Sequence, residues 1–318
     1  MSSGGSTRAI IAALIANLGI AVAKFAGFLF TGSSSMLAES IHSVADTGNQ
    51  VLLLVGSRRA TRVATRQHPF GFGRERFFWA FVVSIVLFTL GSAFALFEGI
   101  EKLLHPHELE SPGWAIGILL VAMVLEGYSF RTAVHESRPL KGNGSWVRFI
   151  RRSKQPELPV VLLEDSGALV GLVIALGAIG MTVVTGNARW DGAGTTAIGL
   201  LLGAIAIVLA VEMKSLLIGE SASEEDEAAI IAAIDAAAPV RTLIDIRTEH
   251  IGPESILVAA KIEFDPDLTM RELADVVDDL EVDIRAAVPD ATRIFIEPDV
   301  VRPMRASVVE PTDGEHPR

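Results

Sequence analysis

The sequence predicts an α-helical membrane bundle of six transmembrane helices followed by a smaller α+β module on the cytoplasmic side. Three observations carry that reading. Half of the 318 residues are hydrophobic and the mean hydropathy is positive, which sets the chain apart from ordinary soluble enzymes. Six apolar stretches are each long enough to cross a hydrocarbon layer, which needs roughly 20 residues of helix. The composition then changes abruptly at Gly219-Glu220-Ser221.

The six stretches run from Thr7 to Phe30, Ser34 to Gly56, Phe77 to Ile100, Pro112 to Ala133, Glu157 to Val184 and Thr195 to Leu217. The first is longer than the core of a signal peptide and lacks a small-residue cleavage site, so it is expected to be retained. Basic residues cluster in alternate connections: Arg58, Arg59, Arg62, Arg66, Arg74 and Arg76 between spans two and three, then Arg148, Arg151, Arg152 and Lys154 between four and five. The opposite connections offer mainly Lys102 and Arg189. Positive charge stays on the cytoplasmic side, so both termini are expected there. A bacterial cytoplasmic membrane is the expected location. The net charge of −11 does not argue against a membrane, because much of the acid lies beyond Gly219; no nucleic-acid partner is expected.

The expected divisions are 1–219 for the membrane domain, 220–302 for the cytoplasmic module and 303–318 for a polar, disordered tail. The module opens with Ser223-Glu224-Glu225-Asp226, a helix start, and an alanine-rich amphipathic run to Ala238. Leu243–Glu249 and Ile256–Phe264 have the branched, partly alternating pattern of strands around a His-Ile-Gly-Pro turn. Helical spacing returns from Leu268 to Ala287, and Arg293–Glu297 reads as a last strand, giving the order α-β-β-α-β.

Ionisable side chains inside a spanning helix cost several kcal/mol unless they are paired or solvated, so each is a functional candidate. The second span holds the clearest set. Glu39, His42 and Asp46 are separated by three and four residues, which at about 100° per residue puts them on one helical face. An imidazole and carboxylates so placed suit a divalent transition metal; an interhelical ion pair is the alternative reading. The second cluster is Glu164-Asp165 in span five. Asp46 lies roughly 18 Å from the outer end of its helix and roughly 12 Å from the inner boundary, and Asp165 reaches the same depth from its own inner end. Two helices thus bring donors to one level. Glu164 alternatively marks the cytoplasmic helix start. Asn17, Lys24, Asn49 and Gln50 read as interhelical hydrogen-bond partners, Glu98 and Glu126 as snorkelling or supporting groups, and the lone His68 as part of a turn.

With no cysteine, any metal site is built from nitrogen and oxygen alone. No Walker-type loop is present, so any pumping draws on ion exchange rather than ATP, and no prosthetic group is expected. A channel, a membrane-embedded hydrolase and a non-transporting scaffold are the rival readings, but neither a filter segment nor a nucleophile motif supports the first two.

Four segments together resemble the cation diffusion facilitator family, also called the zinc-transporter or solute-carrier-30 family. They are GSSSMLAESIHSVADTGNQ in span two, HPFGFGRERFFWAF entering span three, LLEDSGALVGLVIA in span five and LLIGESAS after span six. The wording of spans two and five is most similar to the branch containing the animal zinc transporter 9. The resemblance implies a secondary transporter, not an enzyme. It further implies a ferredoxin-like (metallochaperone-like) cytoplasmic domain and a homodimer. Each protomer would exchange one divalent ion, Zn2+ or else Mn2+, Fe2+, Co2+ or Cd2+, for protons. By position, His42 and Asp46 match the first ligand pair and Asp165 the aspartate of the second; Val161 stands where the family has His or Asp. Glu39 or Glu164 is expected to complete the shell. The family's auxiliary zinc sites are not expected, since Thr65 and Phe72 accompany His68, and Ile244, Arg271 and Glu297 replace histidines of the soluble domain, leaving Asp299 and His250.

Overall fold

The computed structural model describes residues 3–31, 34–106 and 112–302, with the side chains at 3–5, 27, 28, 30, 31, 34–42, 45, 88 and 112 outside that description. The tail expected at 303–318 lies outside the described residues. The chain divides into two compact units, Met1–Glu220 with His250–Glu254, and Ser221–Glu249 with Ser255–Arg318.

The first unit is helical. Its elements are α1 (Ser3–Thr31), α2 (Ser34–Ala60), α3 (Glu75–Val86), α4 (Phe94–Leu104), α5 (Pro112–Lys141), α6 (Trp146–Arg152), α7 (Glu157–Thr185) and α8 (Arg189–Ile218). A π-helical segment, Leu87–Ala93, joins α3 to α4, so Glu75–Leu104 is one long helix. Five helices among the described residues are long and apolar enough to cross a membrane: Ser6–Ala26, Glu75–Leu104, Gly113–Lys141, Glu157–Thr185 and Arg189–Ile218. The sixth expected span, α2, is 27 residues long but falls short on apolar content because it carries Glu39, His42, Asp46, Asn49, Gln50, Arg58 and Arg59. Of the six expected spans, five correspond to helices apolar enough to cross a membrane among the described residues.

The helices outrun the apolar stretches that announce them. α5 continues about two turns past Ala133, and α8 starts at Arg189 rather than Thr195. Apolar windows mark the length in contact with hydrocarbon, whereas a helix continues into water wherever its backbone remains hydrogen-bonded. The seven-residue α6 went unread because it is short and polar; Ser145 caps it by accepting a hydrogen bond from the Arg148 backbone N–H.

Packing is close where glycines permit. A Cβ on Gly192 would stand 2.8 Å from the backbone nitrogen of Leu103, and one on Gly199 2.8 Å from that of Leu96, so α8 meets α4 nearly backbone to backbone. α1 packs on α2 and α5, and α7 on α5 and α8. Outside, large apolar side chains such as Phe97, Val124, Val173 and Val184 are exposed, the surface a lipid-facing bundle presents. The protein is an integral membrane protein.

The second unit contains α9 (Glu224–Ala236), β1 (Val240–Gly252) as far as Glu249, β2 (Ser255–Phe264), α10 (Met270–Ala287) and β3 (Ala291–Pro298). The sheet order is β1-β2-β3, with β2 and β3 parallel, Val258 opposite Ile294 and Ala260 opposite Ile296. Alternate residues of β2, from Ile256 to Phe264, are buried in one core with Ile230 and Ile234 of α9 and Leu280 and Ile284 of α10. Thr269 closes the start of α10 with a full capping box to Glu272.

Candidate metal centre

Glu39, His42 and Asp46 lie along α2 at intervals of three and four, so their backbone positions share one face. The side chains of Glu39 and His42 fall outside the described residues. Asp46 is half-buried, and the next turn of the same helix supplies Asn49 and Gln50, both buried.

Those two amides reach across to α7. Gln50 Nε2 donates to Glu164 Oε2 at 2.8 Å, and Asn49 Nδ2 donates to Glu164 Oε1 at 3.3 Å. Asn17 of α1 donates to Gln50 Oε1 at 3.3 Å, which extends the network to a third helix. Both oxygens of Glu164 are therefore engaged by amide N–H groups. Glu164 is also two turns inside α7, which begins at Glu157, so it does not mark the helix start. The expectation that Asn17, Asn49 and Gln50 join helices holds.

Asp165, 1% exposed, faces a different neighbour: Ser129 Oγ of α5 donates to its Oδ2 at 2.6 Å. Glu126, one turn before Ser129 on α5, is 6% exposed. Asp46, Glu126, Glu164 and Asp165 lie on three helices joined by these hydrogen bonds, α2 to α7 through Asn49 and Gln50 and α5 to α7 through Ser129. Among the described residues, no three His, Asp or Glu side chains stand close enough to enclose a metal ion. Val161 is wholly buried in the apolar core, with no donor to offer.

Two further groups are structural. Arg76 and Glu157 form a buried two-pronged ion pair between α3 and α7, with Arg76 Nη2 2.7 Å from Glu157 Oε2 and Nε against Oε1. Sequence reasoning counted Arg76 only as an inside charge; nothing in the spacing links it to Glu157. Glu98 pairs with Lys102 at 3.1 Å, and Lys102 also meets Asp191 at 3.1 Å. His68 lies exposed in a turn against Phe72.

In the second unit Lys261 meets Glu297 at 3.1 Å and Asp299 at 3.5 Å. The hydrogen bond to Glu297 raises the Lys261 pKa, and the Val300 N–H lowers that of Asp299. Asp299 is thus committed to a salt-bridged surface group.

Residues 10–218 match the cation efflux transmembrane domain, and residues 222–300 match the cation efflux protein, cytoplasmic domain. The proton-coupled zinc antiporter SLC30A9, mitochondrial, of Xenopus laevis is 33% identical over 76% of this chain and 44% of its own length; the Homo sapiens protein is 32% identical over 76% and 43%. Metal tolerance protein C4 of Arabidopsis thaliana is 30% identical over 84% of this chain and 59% of its own. The cation-efflux pump FieF of Shewanella oneidensis is 26% identical over 91% of this chain and 90% of its own. The chain spans less than half the length of the vertebrate relatives it matches. Two matched domains in series, covering the helical bundle and the small sheet, identify the chain as a member of the cation efflux family, the cation diffusion facilitators.

Proposed function

We propose that the protein exports a divalent transition-metal ion, zinc foremost, in exchange for protons, with α2 acting as the sixth transmembrane span. The observation that carries this reading is the buried hydrogen-bond network that ties α2, one turn from Asp46, to Glu164 and ties α5 to Asp165. Isolated carboxylates are costly at that depth, and a dication or protons relieve the cost. His42, Asp46 and Asp165 are the proposed ligands. Of the two further candidates, Glu39 lies on the same face of α2 as His42, and Glu164 is held by amides. A protonated imidazole cannot bind metal, so the two loads compete for the same donors and exchange needs no nucleotide. Access would alternate by rocking of helices about the fixed site.

The cytoplasmic-domain match supports a homodimer, a ferredoxin-like fold for the second unit, and the domain limits near residues 219 and 302. The arginine-rich connections support an orientation with both termini cytoplasmic, in a bacterial cytoplasmic membrane. Zinc uptake by everted vesicles should saturate, rise with an acidic interior and vanish in Asp165→Asn. Uptake indifferent to the pH gradient would refute antiport, and non-saturating flux would point to a channel.

A further inference from the structure

Between α5 and α7, both long and apolar enough to cross a membrane, the chain makes one short helix, α6. All of its residues, Trp-Val-Arg-Phe-Ile-Arg-Arg, are apolar or cationic. At about 100° per residue, Phe149, Trp146, Ile150 and Val147 follow one another around one side, and Arg151, Arg148 and Arg152 around the other. An apolar side of this kind is normally hidden against protein. In α6 that holds for Phe149, which is buried in the core of the helical unit, whereas Trp146 is 37% and Val147 66% exposed. The three arginines are exposed as well.

Charge is a second, independent observation. From Ser137 to Pro156 there is no Asp or Glu, while Arg138, Lys141 and Lys154 join the three arginines of α6. The whole chain carries −11, so this connection runs against the overall balance. Lys154 meets Glu220, and Lys141 stands 5.2 Å over the Trp146 ring. Arg151 is 3.9 Å from Glu212 but 72% exposed, so that pair leaves its charge in solvent. A connection between two spans emerges at the bilayer surface. There, a helix with arginines on one side and tryptophan and aliphatic residues on the other is built to bed into the headgroup layer.

We propose that α6 rests on the bilayer and binds anionic phospholipid headgroups. Trp146 and Val147 enter the boundary between headgroups and acyl chains, and Arg148, Arg151 and Arg152 hold the surrounding phosphates, which guanidinium groups match in charge and shape. The surface lies apart from the proposed metal ligands, so the inference stands or falls independently of transport.

The chain has no cysteine, so Val147→Cys provides a single attachment point for a nitroxide. The labelled full-length protein is placed in phosphatidylcholine nanodiscs with increasing phosphatidylglycerol, and collision of the label with a water-soluble nickel chelate is read by electron paramagnetic resonance. The anionic lipid is expected to lower the collision rate about threefold, an effect that high salt reverses. Combining Arg148→Gln, Arg151→Gln and Arg152→Gln should abolish the response. A collision rate that ignores lipid charge would overturn the proposal, as would an undiminished response in the glutamine variant. Equal protection in pure phosphatidylcholine discs by inorganic phosphate or a single-stranded oligonucleotide would assign the patch to a soluble anion and overturn it too. Should the glutamine variant fail to fold, the lipid and salt titrations of the labelled protein decide alone, a salt-reversible fall supporting the proposal and a flat response overturning it.

Discussion

Both units bury an apolar core, but among the described residues only the helical unit buries a carboxylate network beside it. In the helical unit, Gln50, Asn49, Glu164 and Asp165 are inside while Phe97, Val124 and Val184 face outward. In the second unit, Ile230, Ile234, Val258, Ile262, Leu280 and Ile284 are inside, and charged groups such as Lys261 and Glu297 lie at the surface. The second arrangement is what water enforces on any small domain. The first adds buried polar groups to its apolar core, an addition that is costly unless those groups are paired or solvated. Stability in the second unit comes from area removed from water. The proposed metal ligands all belong to the first.

The sharpest way to break this contrast is at Arg76 and Glu157. Glu157→Ala would leave a buried guanidinium without its partner, and a loss of about 3–5 kcal/mol is expected, read as a lowered thermal midpoint of the purified protein in detergent. An unchanged midpoint would mean that the pair contributes little. Next in size, Ile284→Ala removes a fully buried side chain of the second unit and should cost about 2–5 kcal/mol while leaving zinc affinity at the parental value. A parallel loss of zinc binding would show that metal binding is not confined to the helical unit. Gln50→Ala, which takes one amide from the Glu164 carboxylate, should cost about 1.5–3 kcal/mol and, unlike the previous change, alter zinc affinity as well.

The smallest effect is at the surface of the second unit. Hydrogen bonds from the Thr269 hydroxyl and backbone N–H hold the Glu272 pKa below its ordinary value. Because folding lowers that pKa, the contribution is complete above the ordinary glutamate range and is lost as pH falls through the lowered value. Thr269→Ala should therefore flatten the acid limb of the stability curve and cost about 1 kcal/mol at neutral pH, both measurable by denaturant titration.

Much of this contrast was legible in the sequence, for reasons that differ by residue. Glu39, His42 and Asp46 stood out because charge within a spanning segment is rare and three-and-four spacing defines a helical face. β2 was legible from its branched, partly alternating pattern, and its observed limits, Ser255–Phe264, lie within one residue of the expected ones. Asn49 and Gln50 were readable as interhelical partners, but not their common target, since Glu164 lies more than 100 positions away and no local period connects them. Glu126, a lone acid with no titratable neighbour at helical spacing, was readable only as a snorkelling or supporting group. The Arg76–Glu157 pair was hidden for the same reason, each residue having a sufficient local explanation as a charge near a helix start.

The central claim is that one dication sits between α2 and α7 on His42, Asp46 and Asp165. Anomalous X-ray scattering at the zinc edge, from crystals soaked in zinc, tests it most directly. The expected result is a single strong intramembrane peak within bonding distance of all three side chains; a peak elsewhere in the bundle, or none at saturating zinc, would contradict the account.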